Sequence, residues 1–159
     1  MIEVGDKIPS VDITVVNPKD QETIGADKLF AGKKVVLFGL PGAFTPTCSA
    51  SHLPGYVVLA DDFKAQGVDM LACVSVNDVF VMRAWGEQQN AEAITLLADI
   101  CADFSKALGL AVEMPHLGGI RSQRYAMVIE DGNVTKLNVE APKKFEVSDA
   151  KTMLAALSA

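Results

Sequence analysis

Residues 35–48 of the chain constrain its fold more than any other stretch. They run from Val35 through Phe38 and Leu40 to Pro41, and then through Gly42, Phe44, Thr45 and Pro46 to Cys48. The continuous apolar character of 35–40 predicts a strand covered on both faces. Pro41 ends it, a short loop turns, and Thr45-Pro46 opens a helix. Threonine is a good N-cap, and proline fits the first helical position, where its missing N–H would have no intrahelical partner anyway. Cys48 then falls in the first turn. Free backbone N–H groups and the positive end of the helix dipole favour a thiolate there, and the thiolate is the form that attacks. A buried structural cysteine is the bland alternative, and placement behind Thr-Pro at a helix start weighs against it.

A chain of 159 residues is most simply one domain, 1–159, with enough length for a core that needs no disulfide staples. With 14 basic against 20 acidic residues the net charge is −6, which argues against nucleic acid or an anionic membrane as partner and for a small substrate. The amino terminus lacks a basic start and a long apolar run, and no stretch approaches membrane-spanning length, so a cytoplasmic protein is expected. Cys48, Cys73 and Cys101 form no C-x-x-C pair and no zinc-spaced cluster with histidine, so neither a disulfide scaffold nor a structural metal is expected.

Along the chain, 11–16 and 23–24 around Asn17-Pro18 suggest an amino-terminal hairpin. The helix after Thr45 should reach about Gln66 with Gly67 as its stop, kinked at Pro54, which cannot donate to the Ala50 carbonyl. Residues 68–76 read as a second buried strand, and Asn77 or Asp78 caps a helix running to about Asn90. A third short strand over 94–98 follows, with Asp99 as N-cap and Gly109 as stop of another helix. Residues 111–122 look like loop. Asp131-Gly132 between 125–130 and 133–139 is the clearest hairpin signal, and Ser148 should cap a last helix. Parallel pairing at the front and an antiparallel hairpin at the back make an α/β fold, a mixed central sheet flanked by helices. It resembles the thioredoxin-like arrangement with an inserted βα unit.

In a thioredoxin the active helix opens with C-x-x-C; here the first of those positions is Thr45, so dithiol cycling at this site is excluded. Pro41-x-x-x-Thr45-x-x-Cys48, with Ser49, His52-Leu53-Pro54-Gly55, Ser75-Val76-Asn77-Asp78 and Arg124-Tyr125-Ala126-Met127-Val128, resembles the peroxiredoxins, and within them the type II or fifth subgroup. The resemblance implies that Cys48 is the peroxidatic cysteine, oxidised to sulfenic acid by hydrogen peroxide or an organic hydroperoxide, with Thr45 and Arg124 completing the site. It implies Pro41, Thr47 and Leu117 at the substrate. It further implies a homodimer without cofactor or metal, regenerated by glutathione with or without a separate glutaredoxin.

Residue chemistry points the same way, since the site must favour the thiolate and stabilise charge on the leaving oxygen. Arg124 shares a strand face with Ala126 and Val128, and a guanidinium entering such a face needs an anionic partner, either a thiolate or a structural carboxylate. Arg121 reads as a solvated or supporting residue. His52, four residues after Cys48, is more simply a hydrogen-bonded packing residue than a base, and His116 has no identifiable partner. Phe80, Met82 and Trp85 suit core or a subunit interface. The resemblance implies, for some members of the subgroup, a resolving cysteine near the final helix; here 145–151 holds Ser148 and no cysteine, so resolution by that route is excluded. Two alternatives remain at this point: a thioredoxin-regenerated peroxidase resolved by Cys101 or Cys73, and a redox-sensing interaction protein.

Overall fold

The computed structural model describes residues 1–158. The amino-terminal hairpin forms as β1 (Asp12–Val16) and β2 (Gln21–Gly25), followed by a short helix that the sequence did not suggest, α1 (Ala26–Phe30). The apolar run becomes β3 (Lys34–Leu40). Helical turns begin at Pro46 and include a π turn (Cys48–His52), then α2 (Leu53–Val58) and α3 (Ala60–Ala65). Next come β4 (Met70–Ser75), α4 (Val79–Gln88) capped by the Asp78 carboxylate, β5 (Thr95–Ala98) and α5 (Asp103–Leu108) stopped at Gly109. The chain ends with β6 (Ala111–Met114), β7 (Gly119–Ser122), β8 (Tyr125–Glu130), β9 (Asn133–Val139) and α6 (Ala150–Leu157).

The main sheet runs β2-β1-β5-β4-β3-β8-β9. β3, β4 and β5 are parallel, and antiparallel strands flank them on both sides. Alternation along β3 explains its continuous apolar character. Val36, Phe38 and Leu40 enter one core with Cys48, Tyr56, Trp85 and Met153, whereas Val35 and Leu37 enter the other with Phe30, Phe104 and Leu108. Helices therefore cover both faces, with the π turn, α2, α3, α4 and α6 on one and α1 and α5 on the other. Gly39 is required by its neighbour across the β3–β8 pair, because a Cβ there would sit 2.3 Å from the Tyr125 ring. No helix among the described residues is long and apolar enough to cross a membrane.

Four local expectations need correction. The long helix does not kink at Pro54, which lies in the first turn of α2; the irregularity lies upstream, where the Leu53 N–H reaches back to the Cys48 carbonyl as a π turn, and the break falls at Leu59. Residues 111–122 are not loop but the small antiparallel pair β6–β7, whose four-residue strands are too short to show a period. Asp99 does not cap α5 directly. Its carboxylate reaches over the turn to accept from the Phe104 and Ser105 N–H groups at 3.0 and 2.9 Å. The cap of α6 is Asp149, accepting from the Thr152 N–H at 3.2 Å, one residue beyond Ser148.

Candidate active site

The antiparallel β3–β8 register pairs Gly39 with Tyr125, so the start of β8 meets the end of β3. Arg124, one residue before β8, is thereby carried to the loop that delivers Cys48, 76 residues away in sequence. The Cys48 side chain is fully buried, and the Arg124 Nη2 donates to its Sγ at 3.1 Å. The partner that the guanidinium finds beside the apolar strand face is the cysteine sulfur.

Arg124 has a second contact. Its Nη1 donates to Nδ1 of His52 at 2.9 Å, and Nε2 of the same ring lies 3.1 Å from the Ser148 carbonyl. A carbonyl only accepts and a guanidinium only donates, so the imidazole carries its proton on Nε2 and offers the Nδ1 lone pair to Arg124. Burial, reinforced by the nearby guanidinium, holds the His52 pKa down to about 3. The ring stays neutral and orients the arginine; it is neither the base of a Cys/His pair nor mere packing. Phe38, Tyr56 and Phe145 surround it with ring centroids 5.0, 5.8 and 5.0 Å away.

The loop before Cys48 is fixed by backbone carbonyls. Thr45 does not cap the helix through its side chain: the hydroxyl donates to the Gly42 carbonyl at 2.7 Å, and the Thr45 carbonyl accepts from the Ser49 N–H at 3.0 Å. With its proton committed, Oγ1 retains only acceptor capacity. Phe44 adopts a left-handed φ of 63°, an uncommon conformation for a non-glycine residue that the surrounding bonds must hold. The Ala43 N–H donates to the Asn77 side chain at 3.0 Å, tying the loop to the end of β4. Next to Cys48, the Ser49 hydroxyl accepts from the Trp85 indole at 2.9 Å.

Arg121 is not solvated. From β7 its guanidinium donates to the carbonyls of Leu117 at 2.8 Å, Val76 at 3.0 Å and Pro41 at 3.4 Å. It thereby brings Pro41 and Leu117, both half-buried, to one rim of the site. Thr47, adjacent to Cys48, is exposed, as is His116. Cys73 is buried on β4 in the same core as Cys48; burial pushes its thiol well up, and the neighbouring Cys48 adds to that. Cys101 is exposed, ahead of α5, whose Phe104 and Leu108 pack on the opposite face of the sheet. Sequence reasoning left Arg121 between a solvated and a supporting role and read His52 as a hydrogen-bonded packing residue, but named the partners of neither. The four-residue spacing from Cys48 was the available signal for His52, and nothing in the sequence marks the carbonyls that hold Arg121.

A thioredoxin-like sheet presenting one buried thiol to an arginine at a helix start defines a thiol-based oxidoreductase. The Redoxin family matches residues 3–154. The chain is 44% identical to Peroxiredoxin-2D of Arabidopsis thaliana, over 98% of both chains. It is 48% identical to Peroxiredoxin sll1621 of Synechocystis, covering 89% of this chain and 79% of that protein. The structure of reduced Prx3 from Vibrio vulnificus in complex with H2O2 superposes with a TM-score of 0.96 at 60% identity, over 99% of each chain. The chain belongs to the peroxiredoxin family, among its type II and fifth-subgroup members, and is a thiol peroxidase.

Proposed function

We propose that Cys48 is the peroxidatic cysteine and that Arg124 and Thr45 act with it on hydrogen peroxide and organic hydroperoxides. The contact that carries this reading is the 3.1 Å bond from Arg124 to a fully buried Sγ. The sulfur attacks one peroxide oxygen, an S–O bond forms as the O–O bond breaks, and the leaving oxygen departs as hydroxide or alkoxide to be protonated to water or alcohol. The guanidinium stabilises charge on sulfur and then on the oxygens. Oγ1 of Thr45, its own proton held by Gly42, accepts from the hydroperoxide O–H and so aligns it. Pro41, Thr47 and Leu117 line the approach.

Regeneration from outside the chain, by glutathione with a separate glutaredoxin, is supported by where the other thiols lie. Cys73 is buried in a central strand, its thiol held protonated, and Cys101 is exposed ahead of α5, a helix that packs on the opposite face of the sheet, so the sulfenic acid is resolved from outside. Cys48 must then become accessible by opening of the π turn, a π-helical segment being a weak point in a helix. A homodimer fits the exposed aromatics Phe44 and Phe80, 49% and 75% accessible, whose segments the Ala43–Asn77 bond joins.

Cys48→Ser tests the core of this reading. The variant should fold and lose peroxide reduction, because a serine hydroxyl does not ionise near neutral pH. Turnover near that of the parent protein would assign the chemistry elsewhere. A coupled assay with glutathione plus glutaredoxin against thioredoxin plus its reductase tests the reductant, with the faster turnover expected from the first.

A further inference from the structure

The segment joining β9 to α6, residues 140–149, lies against the back of the site, and its hydrogen bonds converge on one buried carboxylate. We propose that Glu140 is a positioning residue of the Cys48 centre, acting through this strap on His52 and thereby on Arg124. The proposal rests on the reading of Cys48 as the peroxide-reducing thiol.

Glu140 is tied to Arg124 by its main chain, its N–H donating to the Arg124 carbonyl at 2.9 Å. Its side chain then turns back over the strap. Both carboxylate oxygens accept from the Glu146 N–H at 2.9 Å. One of them also accepts from the Val147 N–H at 2.9 Å, the Ser148 N–H at 2.8 Å and the Ser148 hydroxyl at 2.7 Å. Partial burial pushes this carboxyl up, but the hydrogen bonds outweigh it and hold it below its usual range. Hydrogen bonds to an ionised acceptor are roughly twice as strong as neutral ones, so the strap is held chiefly by this group.

Two groups on the strap reach the site. The Ser148 carbonyl accepts from the Tyr56 hydroxyl at 2.7 Å and from Nε2 of His52. The Phe145 ring lies 5.7 Å from the Arg124 Cζ, a cation–π distance. The carbonyl matters most, because it accepts from Nε2 and, together with the guanidinium at Nδ1, holds the imidazole in one tautomer. Were it withdrawn, the proton could move to Nδ1 and face a guanidinium N–H, two donors in opposition. Arg124 would lose the acceptor that anchors Nη1, and with it the orientation that points Nη2 at the sulfur. A carboxylate touching neither the sulfur nor the guanidinium thus sets the geometry of both. A clamp that merely stabilised the strap would affect the unfolding temperature and leave the tautomer alone.

The test uses the whole chain carrying 15N-labelled histidine, which gives only two side chains to resolve, His52 and the exposed His116. Glu140→Met keeps length and removes the acceptor; Glu140→Gln keeps one acceptor oxygen. In the parent protein His52 should appear as the neutral Nε2–H tautomer. In folded E140M it should become a tautomer mixture, and oxidation of reduced Cys48 by hydrogen peroxide in stopped flow should slow on the order of tenfold, short of the roughly 10²-fold that a full ångström of misplacement can cost. E140Q should fall between the two in both readouts. Combined with Arg124→Ala, E140M should slow oxidation no further, because its effect passes through that arginine. Parent-like values for either the tautomer or the rate overturn the proposal, as does an undiminished tenfold effect without Arg124. If E140M does not fold, E140Q decides alone: partial tautomer mixing with slower oxidation supports the clamp, and parent values refute it. Turnover surviving in Cys48→Ser would instead refute the underlying assignment, since the tautomer is read without peroxide.

Discussion

At the scale of single residues, Arg124 joins the chemistry to the fold. It is half-buried, so its charge needs partners, and it has two: the sulfur of Cys48 and the lone pair of a neutral histidine. Both contacts are directional, which holds Nη2 in place before peroxide arrives. Preorganised donors of this kind contribute most where charge develops in the transition state. Arg124→Ala should therefore slow oxidation of reduced Cys48 on the order of 10²-fold, as read by stopped-flow fluorescence of Trp85, the one tryptophan of the chain. An unchanged rate would reduce the arginine to a structural role.

At the scale of elements, the π turn and β4 place two cysteines of one core in opposite circumstances. Cys48 stands in an irregular helical segment that can open, and Cys73 in a central strand paired on both sides, with Phe38 and with Leu96. A strand paired on both sides is held too firmly to adjust to the geometry a disulfide demands, and its buried thiol, pushed well up, is a poor attacker. Cys101 precedes α5 on the far side of the sheet. The double variant Cys73→Ser/Cys101→Ser should accordingly keep most of its glutathione-dependent turnover, and oxidised parent protein given glutathione should carry it on Cys48 by mass spectrometry. A dominant Cys48–Cys101 disulfide would contradict this assignment.

At the scale of the whole molecule, His52 links the site to global stability. Its pKa is about 3 in the fold against an ordinary value of 6.5, so between those limits the unfolded chain binds a proton that the folded chain does not. Stability from this group is thus complete above about pH 6.5 and falls as the pH drops toward 3, with a slope of at most about 1.4 kcal/mol per pH unit. The depressed Glu140 carboxyl acts in the same direction at the acid end, its contribution present above the unfolded carboxylate range and lost below it. Urea unfolding at a series of pH values from 4 to 7 should show this slope, and His52→Asn should flatten it; parallel curves for the two proteins would mean that His52 is not buried as the neutral form.

Legible in the chain alone were the strand that ends at Pro41, the helix start that carries Cys48, a cap at Asn77 or Asp78, the stop at Gly109, and the face on which Arg124 stands. Each of these is set by local chemistry or by strand alternation, which neighbouring residues record. It also carried the mixed sheet, because the order of elements and the Asp131-Gly132 turn leave few ways to pair them. Only the tertiary structure decided that β1 closes against β5, that Arg121 spans three carbonyls, that His52 is a neutral acceptor, and that Glu140 gathers the strap behind it. The reason is common to the last three. Their partners include backbone carbonyls and N–H groups, which every residue possesses and no residue type announces, and the chain brings them together across 45, 80 and 96 positions as readily as across 4 or 8.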